Sequence, residues 1–270
     1  MITADYHVHS NFSSDGHASM EEMIEEGIRL GLKTLCFTDH LDYDYPPISE
    51  YDFLIDPEEY KKKIIRMKEL YHSKIEILHG IELGLQPHLS DRCHSLLKQY
   101  DFDFIIGSSH LVNQWDPYYP DYWVDKSAKE GIKEYFQSII ENCKTFDGFQ
   151  VYGHLDYIIR YIPNPPQNMT YDYFDYQDLL DEILKTIIHM GKGIEVNTAG
   201  LKYGLPYPHP YPPVLKRYQE LGGEIITIGS DAHRPEHLCF RFDVIPEYLK
   251  NLGFRYYTKY RKGKPVFEKL

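Results

Sequence analysis

The sequence predicts an α/β protein whose parallel sheet closes, or nearly closes, into a barrel. Three observations predict it. Seven short apolar runs alternate with segments of helical period, the pattern of repeated strand–helix units. The 270 residues hold no linker rich in Gly and Ser and no internal repeat, so a single domain spanning 1–270 is expected. His7-Val8-His9 and Asp231-Ala232-His233 lie on the first and last runs with the same spacing, and the two pairs become neighbours only if the sheet closes.

The expected strands are 4–8, 33–38, 75–82, 102–107, 149–153, 193–197 and 224–229. Between them, residues 19–31 form the clearest helix. Ser19 and Glu22 make a capping box, Met20, Met23, Ile24, Gly27 and Ile28 share one face, and Gly31 suits a left-handed C-terminal position. The helix over 57–72 opens with Asp56 as cap and Pro57 in its first turn. Over 127–143 the capping box recurs as Ser127 and Glu130, ahead of Ile132, Tyr135, Phe136, Ile139 and Ile140 as the buried face. Residues 175–191 form a further helix ending at Gly191, and 253–268 read as a closing hairpin or edge strand with a turn near Gly263.

Composition narrows the function. Charged residues are 26% and hydrophobic residues 42% of the chain, the balance of a folded domain rather than a disordered or fibrous one. The formal charge of −12 argues against nucleic-acid binding through a basic surface. Cys36, Cys93, Cys143 and Cys239 are widely spaced and form no C-x-x-C pair, so neither a zinc knuckle nor a disulfide framework is expected. The opening MITADYHVHS lacks a basic segment followed by an apolar one, and no apolar run reaches 18 residues. A cytoplasmic protein with neither leader nor membrane span is therefore expected.

The 14 histidines and 25 tyrosines carry the functional signal. His7 and His9, two apart in a strand, point to one face and can reach one metal. His40 ends TLCFTDH, Glu82 lies near the end of EILHGIELG, His110 ends DFIIGSSH, His154 follows QVYG, and Asp15 follows the first strand. Polar groups at so many strand ends point to one site at the mouth of the barrel. His17 could replace Asp15 there. His79 alternates away from Glu82 and should face the other side. His72, His88, His94, His189 and His237 fall on helices or loops and are read as structural; His209 is left open. Long loops after His40, His110, His154 and Asn197, rich in Tyr, Pro and Asp, should form an aromatic rim around a substrate mouth.

The motifs HVHSNFSSDG, FTDH, GIELG, GSSH, GHLD and GSDAH resemble those of the polymerase-and-histidinol-phosphatase (PHP) superfamily, across residues 5 to about 235. FDFIIGSSHLV, YGHLDYIIRY, IEVNTAGL and ITIGSDAHRPE further resemble its stand-alone L-histidinol phosphate phosphatases. The resemblance implies a distorted (β/α)7 barrel holding three divalent ions. His7, His9, Glu82 and Asp231 would hold the first; Glu82, His110 and His154 the second; Asp15, His40 and His233 the third. Many relatives carry histidine where this chain has Asp15. Mixed imidazole and carboxylate donors suit zinc, manganese or iron.

The resemblance implies hydrolysis of L-histidinol phosphate to L-histidinol and phosphate, a step of histidine biosynthesis, by a metal-bridging hydroxide attacking phosphorus. Metal ions acidify water and clamp the oxygens of an in-line displacement. Glu82, Asp231 and His233 are thereby the catalytic candidates with Asp42, two residues past His40, which could bind a substrate ammonium or relay a proton. Arg160 and Arg234 beside strand-end ligands are phosphate-binding candidates, with Asn197 and Lys202 placed on the rim. Three ions against Glu82, Asp231, Asp15 and one hydroxide leave about +2, matching a phosphoryl dianion. The expected partner is a small phosphate monoester, taken by a monomer or weak oligomer, with no nucleic acid and no membrane. Alternatives are another small phosphoester, short nucleic-acid ends, or a non-catalytic metal-binding module. No G-x-x-x-x-G-K-[ST], G-x-G-x-x-G or G-x-S-x-G occurs, so neither nucleotide binding nor a serine elbow has support.

Overall fold

A computed structural model of the chain describes residues 1–47, 51–165, 170–261 and 263–270. Parts of the expected rim, 48–50 and 166–169, lie outside the described residues.

The strands run β1 (Ala4–Val8), β2 (Thr34–Phe37), β3 (His40–Leu41), β4 (Glu76–Gly84), β5 (Phe104–Ser108), β6 (Val151–Tyr152), β7 (Gly193–Asn197) and β8 (Ile226–Gly229). All pair in parallel in the order β1-β2-β4-β5-β6-β7-β8. β3 is the continuation of β2: Thr34 pairs with Glu76 and His40 with Glu82, the same offset along β4. Seven barrel positions result, as expected. Closure comes from a thin seam just past β8. Val8 bridges Ala232, the Asp231 amide donates to His7 O at 2.8 Å, and the His9 amide donates to Ala232 O at 2.9 Å. The two spaced pairs seen in the sequence are thus themselves the seam.

β1 carries a register shift between Asp5 and Val8. An extra residue re-aims side chains locally. Tyr6 packs edge-on against Phe104 in the lower interior, while His7, its neighbour in sequence, turns towards Glu82 at the mouth.

Helices α1 (Met20–Arg29), α2 (Pro57–Tyr71), α3 (Ser90–Gln99), α4 (Ala128–Thr145), α5 (Gln177–His189), α6 (Ala199–Lys202), α7 (Pro212–Glu220) and α8 (Ile245–Asn251) complete the chain. Both capping boxes form, as does the Asp56 cap. Gly31 and Gly191 adopt left-handed φ of 82° and 68° past their helices. Four helices went unread: the single-turn α6, and three others for identifiable reasons. α3 has no side-chain cap and buries only Cys93 and Leu96, too sparse a stripe for periodicity. α7 begins on Pro212-Pro213, inside a run read as loop, though proline is well suited to a first turn. α8 is one short stretch with no cap bond. The strand expected at 149–153 shrinks to Val151–Tyr152.

The tail forms the antiparallel hairpin β9 (Tyr256–Arg261) and β10 (Lys264–Lys269), with Gly263 at φ 69°. It covers the end of the barrel remote from the strand-end histidines: Tyr6 Oη donates to Tyr260 O at 3.0 Å and accepts from the Tyr260 amide at 2.7 Å. Among the described residues no helix is long and apolar enough to cross a membrane.

His79 faces away from Glu82, as its alternation requires, and packs against Phe102 with its Nδ1 near Asp101 O at 3.2 Å. Burial holds its pKa down to about 4. An unfolded histidine titrates near 6.5, so protons favour the unfolded chain between those values and stability falls as pH drops from about 6.5 to 4, by up to about 3 kcal/mol. We expect His79→Leu to flatten that loss: the thermal midpoint of the variant should rise relative to that of the parent from pH 7 to pH 4.5, and a constant difference would refute the assignment.

Candidate metal centre

The site forms at the C-terminal strand ends around Glu82, which is fully buried. Its two oxygens face different imidazoles. Oε2 lies 3.2 Å from His7 Nε2, 3.6 Å from His9 Nε2 and 3.0 Å from His40 Nδ1. Oε1 lies 2.9 Å from His154 Nε2 and 3.4 Å from His110 Nε2. Asp231 Oδ1 sits 3.8 Å from His7 Nε2, 3.4 Å from His9 Nε2 and 3.6 Å from His233 Nδ1. Its backbone takes a left-handed φ of 53°, tolerated by aspartate more readily than by most residues. Asp15 Oδ2 is 3.2 Å from His233 Nε2 and 3.8 Å from His40 Nε2. All nine expected ligands therefore meet in one place.

The grouping is richer than the expected three sets. Donor atoms of His9, His40 and His233 converge, as do those of His40, Asp42 and His110, alongside the His7–His9–Glu82 and Glu82–His110–His154 groups. His40 lies closer to Glu82 than to Asp15. His17 is exposed at the cavity, and it is Asp15 that meets His40 and His233.

The donor set fits divalent cations. Buried His7 Nε2, His9 Nε2, His40 Nδ1, Glu82 Oε2, His233 Nε2 and Asp15 Oδ1 all lack a hydrogen-bond partner. One such atom costs roughly 1–3 kcal/mol, so six within one cluster of side chains are a poor solution for a protein unless cations join them. Electrostatics agree. Burial opposes the charge on Glu82 and Asp231, yet neighbouring imidazoles, His7 foremost, hold both well below the usual carboxylate range. Burial also opposes charge on His7, but Glu195, Glu82 and Asp231 hold it well above the imidazole range. Burial lowers His9, and His233 and His40 lower it further.

Sequence reasoning missed the groups behind the imidazoles. Glu195, 1% exposed in the middle of β7, accepts from His7 Nδ1 at 2.6 Å, from the His154 amide at 2.9 Å and from Asn197 Nδ2 at 3.1 Å. The available signal was an acid within the apolar run GIEVN. Gly229 makes room for it: a Cβ there would meet Glu195 Oε1 and His7 Cβ at 2.4 Å. Ser13 Oγ, itself donating to Asp39 Oδ1 at 2.8 Å, accepts from His9 Nδ1 at 3.1 Å.

Two expectations are corrected. Asn197 is fully buried rather than on the rim; its Nδ2 serves Glu195 and approaches Asp231 Oδ2 at 3.4 Å, and its Oδ1 accepts from the Ala199 amide. Asp42 accepts from His110 Nδ1 at 2.8 Å, so its first task is to orient a ligand. Gly84 leaves the space, since a Cβ would fall 1.4 Å from Asp42 Oδ1. Asp42 and Glu195 raise the carboxylates at the site from three to five, so the expected surplus of about +2 vanishes. The missing positive charge lies on the cavity wall. Arg160 lies with its guanidinium carbon 4.4 Å from the Tyr157 ring centre and 4.6 Å from that of Tyr203. Lys202 Nζ donates to Asp231 O at 3.0 Å. Arg234 is exposed at the lip of the same cavity, which is about 350 Å³.

A parallel barrel with a buried imidazole–carboxylate cluster at its strand ends defines a metal-binding α/β-barrel protein. Residues 5–199 match the family model described as the PHP domain, and the chain belongs to that family. It is 30% identical to a histidinol-phosphatase of Lactococcus lactis over 256 residues, covering 94% of this chain and 93% of the relative. It is 32% identical over 265 residues to a Clostridium acetobutylicum protein named "Probable histidinol-phosphatase", covering 97% and 95%. The crystal structure of histidinol phosphate phosphatase from L. lactis, complexed with zinc, L-histidinol and phosphate, superposes with a TM-score of 0.87 at 27% identity over 98% of both chains.

Carboxylates that orient a ligating histidine set metal affinity by roughly ten- to a hundredfold. Glu195→Gln keeps the shape but removes the charge. Elemental analysis after dialysis should show metal retention weakened by about that factor with the circular dichroism spectrum unchanged; full retention would refute the role given to Glu195.

Proposed function

We propose that this chain hydrolyses L-histidinol phosphate to L-histidinol and inorganic phosphate. The carrying observation is the division of Glu82 between two imidazole groups in a cavity whose wall also presents Arg160 and Lys202. Cation donors and anion donors face one volume, the arrangement a phosphate ester requires. The named relatives support the choice of ester.

His7, His9, Glu82 and Asp231, then Glu82, His110 and His154, then Asp15, His40 and His233, are the residues we assign to divalent ions. Such ions supply positive charge for the phosphoryl oxygens and acidify water. Asp42 fixes the His110 tautomer so that Nε2 faces Glu82. Arg160, stacked on Tyr157 and Tyr203 with its Nε unpartnered, donates to the phosphoryl group, and Lys202 adds a second cation tethered at the Asp231 carbonyl. The four cysteines are unpaired, which supports a cytoplasmic setting.

Steady-state assays on a panel of phosphate esters test the reading. L-Histidinol phosphate should exceed unrelated monoesters in kcat/KM by at least about tenfold, and monoesters should exceed bis-p-nitrophenyl phosphate. A tenfold preference for an unrelated ester, or for the diester, would overturn it. Arg160→Met should lower kcat/KM by roughly ten- to a hundredfold, the worth of a charge-assisted hydrogen bond, with Arg160→Lys recovering part of the loss.

A further inference from the structure

The cavity wall holds an acid that forms no ion pair with a cation among the described residues. Asp116 is only 6% exposed, yet it faces the cavity. Its Oδ2 accepts from Tyr45 Oη at 2.5 Å and its Oδ1 from the Tyr118 amide at 2.8 Å. Both donors are neutral. Among the described residues no Lys, Arg or His forms an ion pair with it; His110 gives its Nδ1 proton to Asp42 instead. Burial pushes the Asp116 carboxyl above its usual range, against the hydrogen bonds from Tyr45 and the Tyr118 amide.

Aromatic faces complete this end. Tyr118 meets Tyr161 edge-on with ring centres 5.5 Å apart, and Tyr161 meets Tyr157 at 4.9 Å. A buried carboxylate among tyrosine rings suits a cation twice over, by charge and by the negative ring faces. The cavity therefore presents both signs of charge, Arg160 and Lys202 as cations and Asp116 as an anion, around one set of tyrosine rings.

We infer that Asp116, held by Tyr45, is the specificity residue that binds a positively charged nitrogen on the alcohol portion of the substrate. This rests on the phosphomonoesterase reading and deepens it. The role first given to Asp42, which is occupied by His110, passes to Asp116. An ester with phosphate at one end and a protonated nitrogen at the other satisfies both walls; one without the nitrogen leaves Asp116 buried and unpaired.

The experiment compares the metal-loaded parent enzyme with Asp116→Asn on four esters. L-Histidinol phosphate carries both an amine and an imidazole, phosphoethanolamine only the amine, imidazolylethanol phosphate only the ring, and p-nitrophenyl phosphate neither. For the variant, kcat/KM on L-histidinol phosphate should fall by roughly tenfold or more, mainly through KM, while p-nitrophenyl phosphate changes by less than about threefold. A matching fall on phosphoethanolamine identifies the amine as the bound nitrogen, and one on imidazolylethanol phosphate identifies the ring. Equal losses on all four esters, or none on L-histidinol phosphate, would overturn the inference. Retained p-nitrophenyl phosphate turnover shows that the variant is folded. Should it not fold, Tyr45→Phe, which leaves the carboxylate but removes its support, must shift the same ratio in the same direction, and an unmoved ratio overturns the inference as well. If the parent shows no preference for L-histidinol phosphate over p-nitrophenyl phosphate, the phosphatase assignment fails on its own account and the inference with it.

Discussion

The site depends on one shared carboxylate. Glu82 is buried in β4 between His40 on the paired strand segment and the imidazoles reached from β5 and β6, and its two oxygens serve different sets. Few arrangements tolerate an ionised group there. Imidazoles alone could neutralise it only by taking protons, and while the carboxylates favour that at His7, His9 resists it, stacked on His40 and His233 with ring centres 4.2 and 4.0 Å apart. Cations remove the conflict, since neutral imidazoles and ionised carboxylates then both become donors. The barrel makes the conflict geometrically unavoidable, because converging strand ends leave these side chains nowhere else to point.

Orientation comes from groups that hydrogen-bond the imidazoles at Nδ1. His7 is held from behind by Glu195, His9 by Ser13 and His110 by Asp42, each through Nδ1, leaving Nε2 to face inwards. A fixed tautomer is thereby imposed three times by three different partners. Two glycines permit the close approaches, Gly84 beside Asp42 and Gly229 beside Glu195. Glycine at these positions reflects the absence of space for a Cβ rather than a demand for unusual backbone dihedrals.

Much of this was legible in the sequence, for physical reasons. Strand alternation placed His7 with His9 and turned His79 away. Capping boxes and terminal glycines located the strongest helices, and the paired spacing at 7–9 and 231–233 foretold the closing seam. What stayed hidden involves contacts that no spacing encodes. Glu195 lies mid-strand, where an acid can face either the barrel interior or the helices, and only the strand pairing decides. Asn197 looked like a rim residue because it precedes a long loop, but its amide is used up beneath the site. The β2–β3 interruption was invisible as well, since the break at Thr38-Asp39 leaves the pairing offset unchanged. Loop-borne Asp116 had no periodicity to betray it.

Charge explains how an acidic protein of net −12 can take an anion. The net figure describes the solvated surface; the ester meets only the cavity. There five carboxylates would nearly cancel the three divalent ions we propose for the site, so that the centre as a whole would be close to neutral and Arg160 and Lys202 would decide the sign felt by the phosphate. Near-neutrality has a further consequence. A centre with large excess charge would bind any phosphate, and product, tightly. One close to balance leaves discrimination to the segments beyond the strand ends, where Asp116 and the tyrosines sit. The chemistry is therefore tied to the strand ends and the choice of substrate to the loops, the division of labour that a parallel barrel permits.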